Sequence, residues 1–138
     1  MNARAMPHSM HWAEAYIGAP YVAGEADCGR LVCRVANEVF GIATPSHAEA
    51  ERALSAAGRS RQIVDVLAEY AAPVAEPAEG DIVLMYCRAR PSHVGVYCVV
   101  DGEPAVLHAI AKPGQSVLGK LRELSRIYLT VEGFYRWK

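Results

Sequence analysis

The feature that most constrains this chain is a change of period at Gly80. Before it, Asp27 is followed by Leu31, Val32, Val35, Ala36, Val39 and Phe40, apolar positions that fall on one side of a 3.6-residue turn. After it come β-branched and aromatic runs divided by turn residues: Asp81 to Tyr86, His93 to Val100, Ala105 to Ile110 and Ile127 to Trp137. Helices that precede strands, rather than alternating with them, give the expected class as α+β. A chain of 138 residues closes one apolar core and is too short for two, so residues 1–138 are expected to form a single domain.

Turn and cap chemistry divides the helical half. Asp27 as N-cap and Gly41 at the stop bound a helix over 28–40. Ser9 is the expected cap of a short helix to Ile17 that carries Trp12 and Tyr16 and ends at Gly18-Ala19-Pro20. Ser46-His47-Ala48-Glu49 reads as a capping box for a helix to Ala57 with Gly58 as its C-cap. Ser60 then opens another, bearing Ile63, Val66, Leu67 and Tyr70, and Pro73 and Pro77 end the pattern.

Composition narrows the function. With 52% hydrophobic and 21% charged residues the chain is a soluble globular type. Fourteen Lys and Arg against fifteen Asp and Glu give a net charge of -1, so no basic excess is present to neutralise nucleic acid or an anionic membrane, and neither is an expected partner. Met1 to His8 lacks an apolar core behind a basic head, and no apolar run approaches the ~18 residues that span a bilayer. The expectation is synthesis in the cytoplasm without a signal peptide. The four cysteines form no C-x-x-C and are expected to be reduced thiols.

Among these cysteines one stands apart. Cys28 follows the Asp27 cap, at the positive end of a helix, where the dipole and free N–H groups favour thiolate. A buried structural thiol is the alternative at that position; Cys33, Cys87 and Cys98 lie in apolar runs and are expected in the core. A thiol nucleophile needs a base and a third group that fixes the base's tautomer. If the turn is the two-residue Asp101-Gly102, Val100 faces Glu103 and His108 faces Gly95, with His93 one diagonal step away on the same face; a four-residue loop, Asp101 to Pro104, keeps that parity, whereas a three- or five-residue loop puts the two rings on opposite faces. Taken singly, each of these histidines reads as a half-buried ring bonded to backbone. His8, His11 and His47 are expected to be solvated. Cys28, His93 and His108 could also serve zinc, but the paired spacings of structural zinc sites are missing, so no metal or organic cofactor is expected. Phosphate-binding glycine loops and a G-x-S-x-G elbow are absent too.

The order of these parts carries a resemblance. Gly18-Ala19-Pro20-Tyr21-Val22-Ala23-Gly24 ahead of Asp27-Cys28, then Gly80-Asp81-Ile82-Val83, His93-Val94-Gly95-Val96-Tyr97 and Leu107-His108-Ala109, resembles the NlpC/P60 family of papain-like cysteine peptidases, especially its compact phage-tail members. The resemblance runs from about Trp12 to the C-terminus. It implies a papain-like fold, with N-terminal helices packed on a C-terminal antiparallel sheet, and hydrolysis of peptide bonds in bacterial cell-wall stems, commonly between D-γ-glutamate and a diamino acid. By the same resemblance Cys28 is the nucleophile, His93 the general base and His108 the orienting residue. Tyr21 becomes an oxyanion donor or a wall residue, and Asp27 a contact for the substrate's free amine. Where the family usually has Asp-Cys-Ser-Gly, this chain has Gly29 and Arg30 after the cysteine. Arg30 is either a fork for a substrate carboxylate or a solvated helix-surface residue.

Three functions are therefore expected in turn. The first is a peptidoglycan endopeptidase, delivered to the wall on a phage or prophage tail, with stem peptide and tail proteins as partners. The second is a tail-assembly or wall-binding subunit that keeps the fold without turnover. The third is an acyl or amide transferase using the same thioester.

Overall fold

The computed structural model describes residues 11–22, 27–44, 56–111 and 114–138. Two α-helices, α1 (Cys28–Phe40) and α2 (Ala56–Tyr70), come before all six strands. The strands are β1 (Ala71–Val74), β2 (Ile82–Cys87), β3 (Arg90–Val100), β4 (Glu103–Ile110), β5 (Gln115–Lys120) and β6 (Leu129–Trp137). They form one six-stranded antiparallel sheet in the order β1-β6-β2-β3-β4-β5. The class is α+β.

Local chemistry explains α1. Asp27 is extended, and its Oδ1 accepts from the Arg30 N–H at 3.1 Å, while Gly41 stops the helix in the left-handed region at φ 66°. The stripe read from the sequence is the one that is buried, through Leu31, Val32, Val35 and Ala36. α2 departs from expectation: the backbone is helical through Gly58 and Ser60, with no cap at the first and no new start at the second. A glycine inside a helix costs only about 1 kcal/mol against alanine. Packing of Ile63 and Leu67 on the core outweighs that cost. The box at Ser46 to Glu49 lies outside the described residues.

The first short helix is a 3₁₀ segment, Trp12–Tyr16, and its cap is His11, whose Nδ1 accepts from the Ala13 N–H at 3.0 Å; Ser9 is outside the described residues. The solvated role expected for His11 is thus wrong. Its Nε2 lies 3.1 Å from Glu79 Oε1, and Glu79 also accepts from Trp12 Nε1 at 2.9 Å and from the Val99 N–H at 2.6 Å. One carboxylate ties the start of the described chain to β3.

Two strands escape the sequence reading. β1 contains Pro73, which reads as a breaker, but β1 is an edge strand and tolerates a missing N–H. β5, at the other edge, is bridged by Pro20 at Gln115. The last expected strand begins at Leu129 instead of Ile127, because Leu121–Ile127 wind into a 3₁₀ helix that ends at Tyr128, φ 62°. The β3–β4 hairpin matches expectation: Val100 faces Glu103 across Asp101 (φ 53°) and Gly102 (φ 76°), a two-residue turn with both residues left-handed.

The sheet has two buried faces. On one, Ile82, Leu84, Val94, Val96, Cys98, Ala105, Leu107 and Ala109 pack with Leu31, Val32 and Val35 of α1 and Leu67 of α2. On the other, Val83, Met85, Tyr97 and Val106 pack with Leu124 and Leu129 around the second 3₁₀ helix. Cys33 and Cys98 are core thiols as expected, whereas Cys87 is only half-buried, beside the second cluster.

Candidate active site

β3 and β4 bring two histidines together. His93 Nε2 lies 2.9 Å from His108 Nδ1, with the rings edge to face at a centroid distance of 5.1 Å. This is the diagonal pairing that the Asp101-Gly102 turn dictates. His108 is fully buried, at 0% exposure. Burial, joined for His93 by the neighbouring ring, pushes both imidazoles well below the usual histidine value. Both are neutral at pH 7, so the hydrogen bond between them is made by one ring donating and the other accepting.

Gly95 makes that approach possible. A Cβ there would stand 2.5 Å from Val106 Cγ1, 2.8 Å from the Leu107 carbonyl oxygen and 3.0 Å from His108 Cβ. Any side chain at 95 would therefore push against the strand segment that carries the second imidazole. A glycine inside a strand signals close backbone approach, and that signal could have marked Gly95 as part of the site.

Strand alternation sets the direction of the pair. His93 is opposite Met85, and His108 is two residues from Val106, so both rings project from the face of the second cluster. α1 packs on the other face, over Val94, Val96 and Leu107. Phe40, its last residue, lies against Gly80, whose N–H bonds the Tyr97 carbonyl. Cys28 opens the helix at its other end.

The remaining sequence-predicted residues surround the start of α1. Cys28 is half-buried against the first cluster. Asp27 serves as the helix cap. Arg30 is half-buried on the first turn of α1. Tyr21 is half-buried too, and its N–H bonds the Gly114 carbonyl at 2.9 Å, which fixes its backbone beside the β4–β5 connection. Asp81, from the Gly80-Asp81 motif, is structural. It is 3% exposed, and its two oxygens accept from Arg136 at 2.8 and 2.7 Å. Its Oδ2 also accepts from the Ala78 N–H at 2.7 Å. Among the described residues no group of three or more His, Cys, Asp or Glu could hold a metal ion, and no helix is long and apolar enough to cross a membrane.

An α+β domain with a cysteine at a helix start and a pair of touching histidines on adjacent strands, one half-buried and one fully buried, is the class defined so far. The chain belongs to the NlpC/P60 family, whose model matches residues 18–126. Members of that family are generally cysteine peptidases that act on the peptidoglycan of the cell wall. No curated protein and no solved structure matches the chain.

Proposed function

We propose that this chain is a papain-like peptidase that hydrolyses peptide bonds in peptidoglycan stem peptides, with Cys28 as nucleophile, His93 as base and acid, and His108 as orienting residue. The observation that carries the reading is the 2.9 Å contact between His93 Nε2 and His108 Nδ1. It engages one nitrogen of His93 and reserves Nδ1 for a thiol. Cys28 gives its proton to Nδ1, and the thiolate attacks the scissile carbonyl. The imidazolium then protonates the departing amine, leaving a thioester. A water deprotonated by His93 attacks that thioester and regenerates the thiol.

The oxyanion is received by the Cys28 N–H at the helix start and by the Tyr21 hydroxyl. Asp27 meets a free amine of the stem, and Arg30 a carboxylate. The bond between D-γ-glutamate and a diamino acid is the proposed target, and a phage or prophage tail the proposed route to the wall. α1 and the rings lie on opposite faces of β3, so the reading requires the sulfur to reach Nδ1 around the start of that strand rather than through the sheet.

The same two-faced arrangement favours a second reading, a wall-binding or tail subunit that retains the fold without turnover. Mass spectrometry of muropeptides after incubation with purified sacculi separates the two. Hydrolysis predicts new stem fragments with the wild-type chain and none with Cys28→Ala. Equal fragment release by both proteins excludes the thiol mechanism, and binding to sacculi with no fragments from either supports the second reading.

A further inference from the structure

The start of β3 is where the hydrolytic reading places the reaction, and its first residue is an arginine. Arg90 stands opposite Cys87 and His93 opposite Met85, with a register shift between Met85 and Tyr86 that leaves Ser92 without a partner on β2. Met85 belongs to the second cluster and Cys87 packs against it, so Arg90 and His93 rise from that one face. Three residues apart in a regular strand, they would point to opposite faces. The bulge at Ser92 removes one step of the alternation and leaves their α-carbons two pleat positions, roughly 7 Å, apart. An arginine stem crosses such a gap and carries its charge to the imidazole's surroundings.

The turn before Arg90 is strained. Arg88 and Ala89 are both left-handed, at φ 56° and 67°, in a two-residue hairpin loop. The other loop of this kind, Asp101-Gly102, uses residues that tolerate the conformation, whereas arginine and alanine do not. Strain of this sort persists where the surrounding structure imposes it, and it gathers at binding sites. Charge adds a further sign. Arg34, Arg122, Arg126 and Arg136 each meet a carboxylate. The side chains of Arg88 and Arg90 are exposed and meet none among the described residues.

We propose that Arg90 is a specificity-determining residue whose guanidinium receives a carboxylate of the stem peptide beside the bond that is cut, an inference that rests on the hydrolytic reading above. A γ-linked glutamate presents one such group, because its side-chain carboxyl forms the bond and its α-carboxylate stays free. A diamino acid at the end of the peptide presents another. The planar fork of arginine meets either through two parallel hydrogen bonds.

Synthetic stem tripeptides ending in the diamino acid test this in three forms: both carboxylates free, the glutamate α-carboxyl amidated, and the diamino acid carboxyl amidated. With the free form, Arg90→Gln is expected to raise KM about ten- to a hundredfold, as for lost hydrogen bonds to a charged group, with kcat within about threefold and the urea midpoint unchanged. Arg90→Lys keeps the charge without the fork and is expected to recover only part of the loss. With one of the amidated forms, the wild type is expected to fall to the level of Arg90→Gln, and that form names the carboxylate. An Arg90→Gln chain that handles the free peptide like the wild type overturns the proposal, as does a loss of equal size on all three peptides. Affinity of the same peptides for the Cys28→Ala chain, with and without Arg90→Gln, separates this inference from the reading beneath it. Arg90-dependent binding in a protein whose wild type cuts nothing sinks hydrolysis and leaves the role of Arg90 standing, whereas cutting without Arg90 dependence does the reverse. A chain that neither cuts nor binds these peptides overturns both.

Discussion

The two faces of the sheet are built from the same strands and do different work. Under α1 and α2, Val94, Val96, Cys98 and Leu107 make an entirely apolar layer. One residue out of phase, the opposite face buries Met85, Tyr97 and Val106 and sets two imidazoles beside them. Both faces are held by area removed from water, and the second also carries a polar contact in a dry setting, where a missing partner is costly. The apolar layer under the helices and the histidine pair are thus separated by one step of the pleat. A single hairpin serves both because alternation lets each strand present two independent sets of side chains.

Substitutions on either face can break or sharpen that separation. The largest effect is expected from His108→Leu, which removes the orienting ring and one buried nitrogen that lacks a partner among the described residues: fragment release falls by about 10²–10⁴ while the midpoint of urea unfolding stays level or rises. Loss of folding in that variant would show that the pair is structural. Leu107→Ala, its immediate neighbour on the other face, should do the reverse. It costs about 2–5 kcal/mol in chemical denaturation, with release per folded molecule unchanged. Gly80→Ala should cost about 1–3 kcal/mol, because Gly80 has φ +90° and a Cβ would stand 2.8 Å from the Phe40 ring. Asp81→Ala should cost about 1–3 kcal/mol, since it strands the Ala78 N–H and the Arg136 fork.

A pH dependence is expected from the second face as well. Both imidazoles titrate lower in the folded chain than the usual 6.5. Below about pH 6.5 the unfolded chain therefore binds protons that the folded chain refuses. Stability is full above that pH and declines as pH falls toward about 4, by up to ~1.4 kcal/mol per unit for each ring. Urea midpoints at pH 7 and pH 5 should converge when both histidines are replaced by leucine. An unchanged slope in that variant would assign the acid sensitivity to other groups.

Much of the arrangement is legible in the amino-acid order itself. Asp27 and Gly41 bound α1 because cap chemistry is local, and Asp101-Gly102 fixes the register that joins His93 to His108 because a two-residue turn has one geometry. The misses share a cause, since tertiary packing overrides local signals. Gly58 fails to end α2 and Pro73 fails to end a strand, because what each can tolerate depends on position in the assembled sheet. His11 looks solvated until Glu79, far away in sequence, folds beside it. Nor does the chain announce which face of β3 the helices take. Both faces are buried, so the run from Val94 to Cys98 carries no polar stripe to mark an outside. For the candidate site, the sequence singles out Cys28, His93 and His108 but not Gly95, where any Cβ would press on the strand that carries His108.

The prolines at the margins of the sheet have a consequence beyond local geometry. Pro73 lies in the outermost strand on one side, and Pro20 bridges Gln115 on the other. Each withholds a donor where a neighbouring molecule would otherwise zip on. Each margin of the sheet thus offers an incoming strand fewer donors than an unbroken edge would.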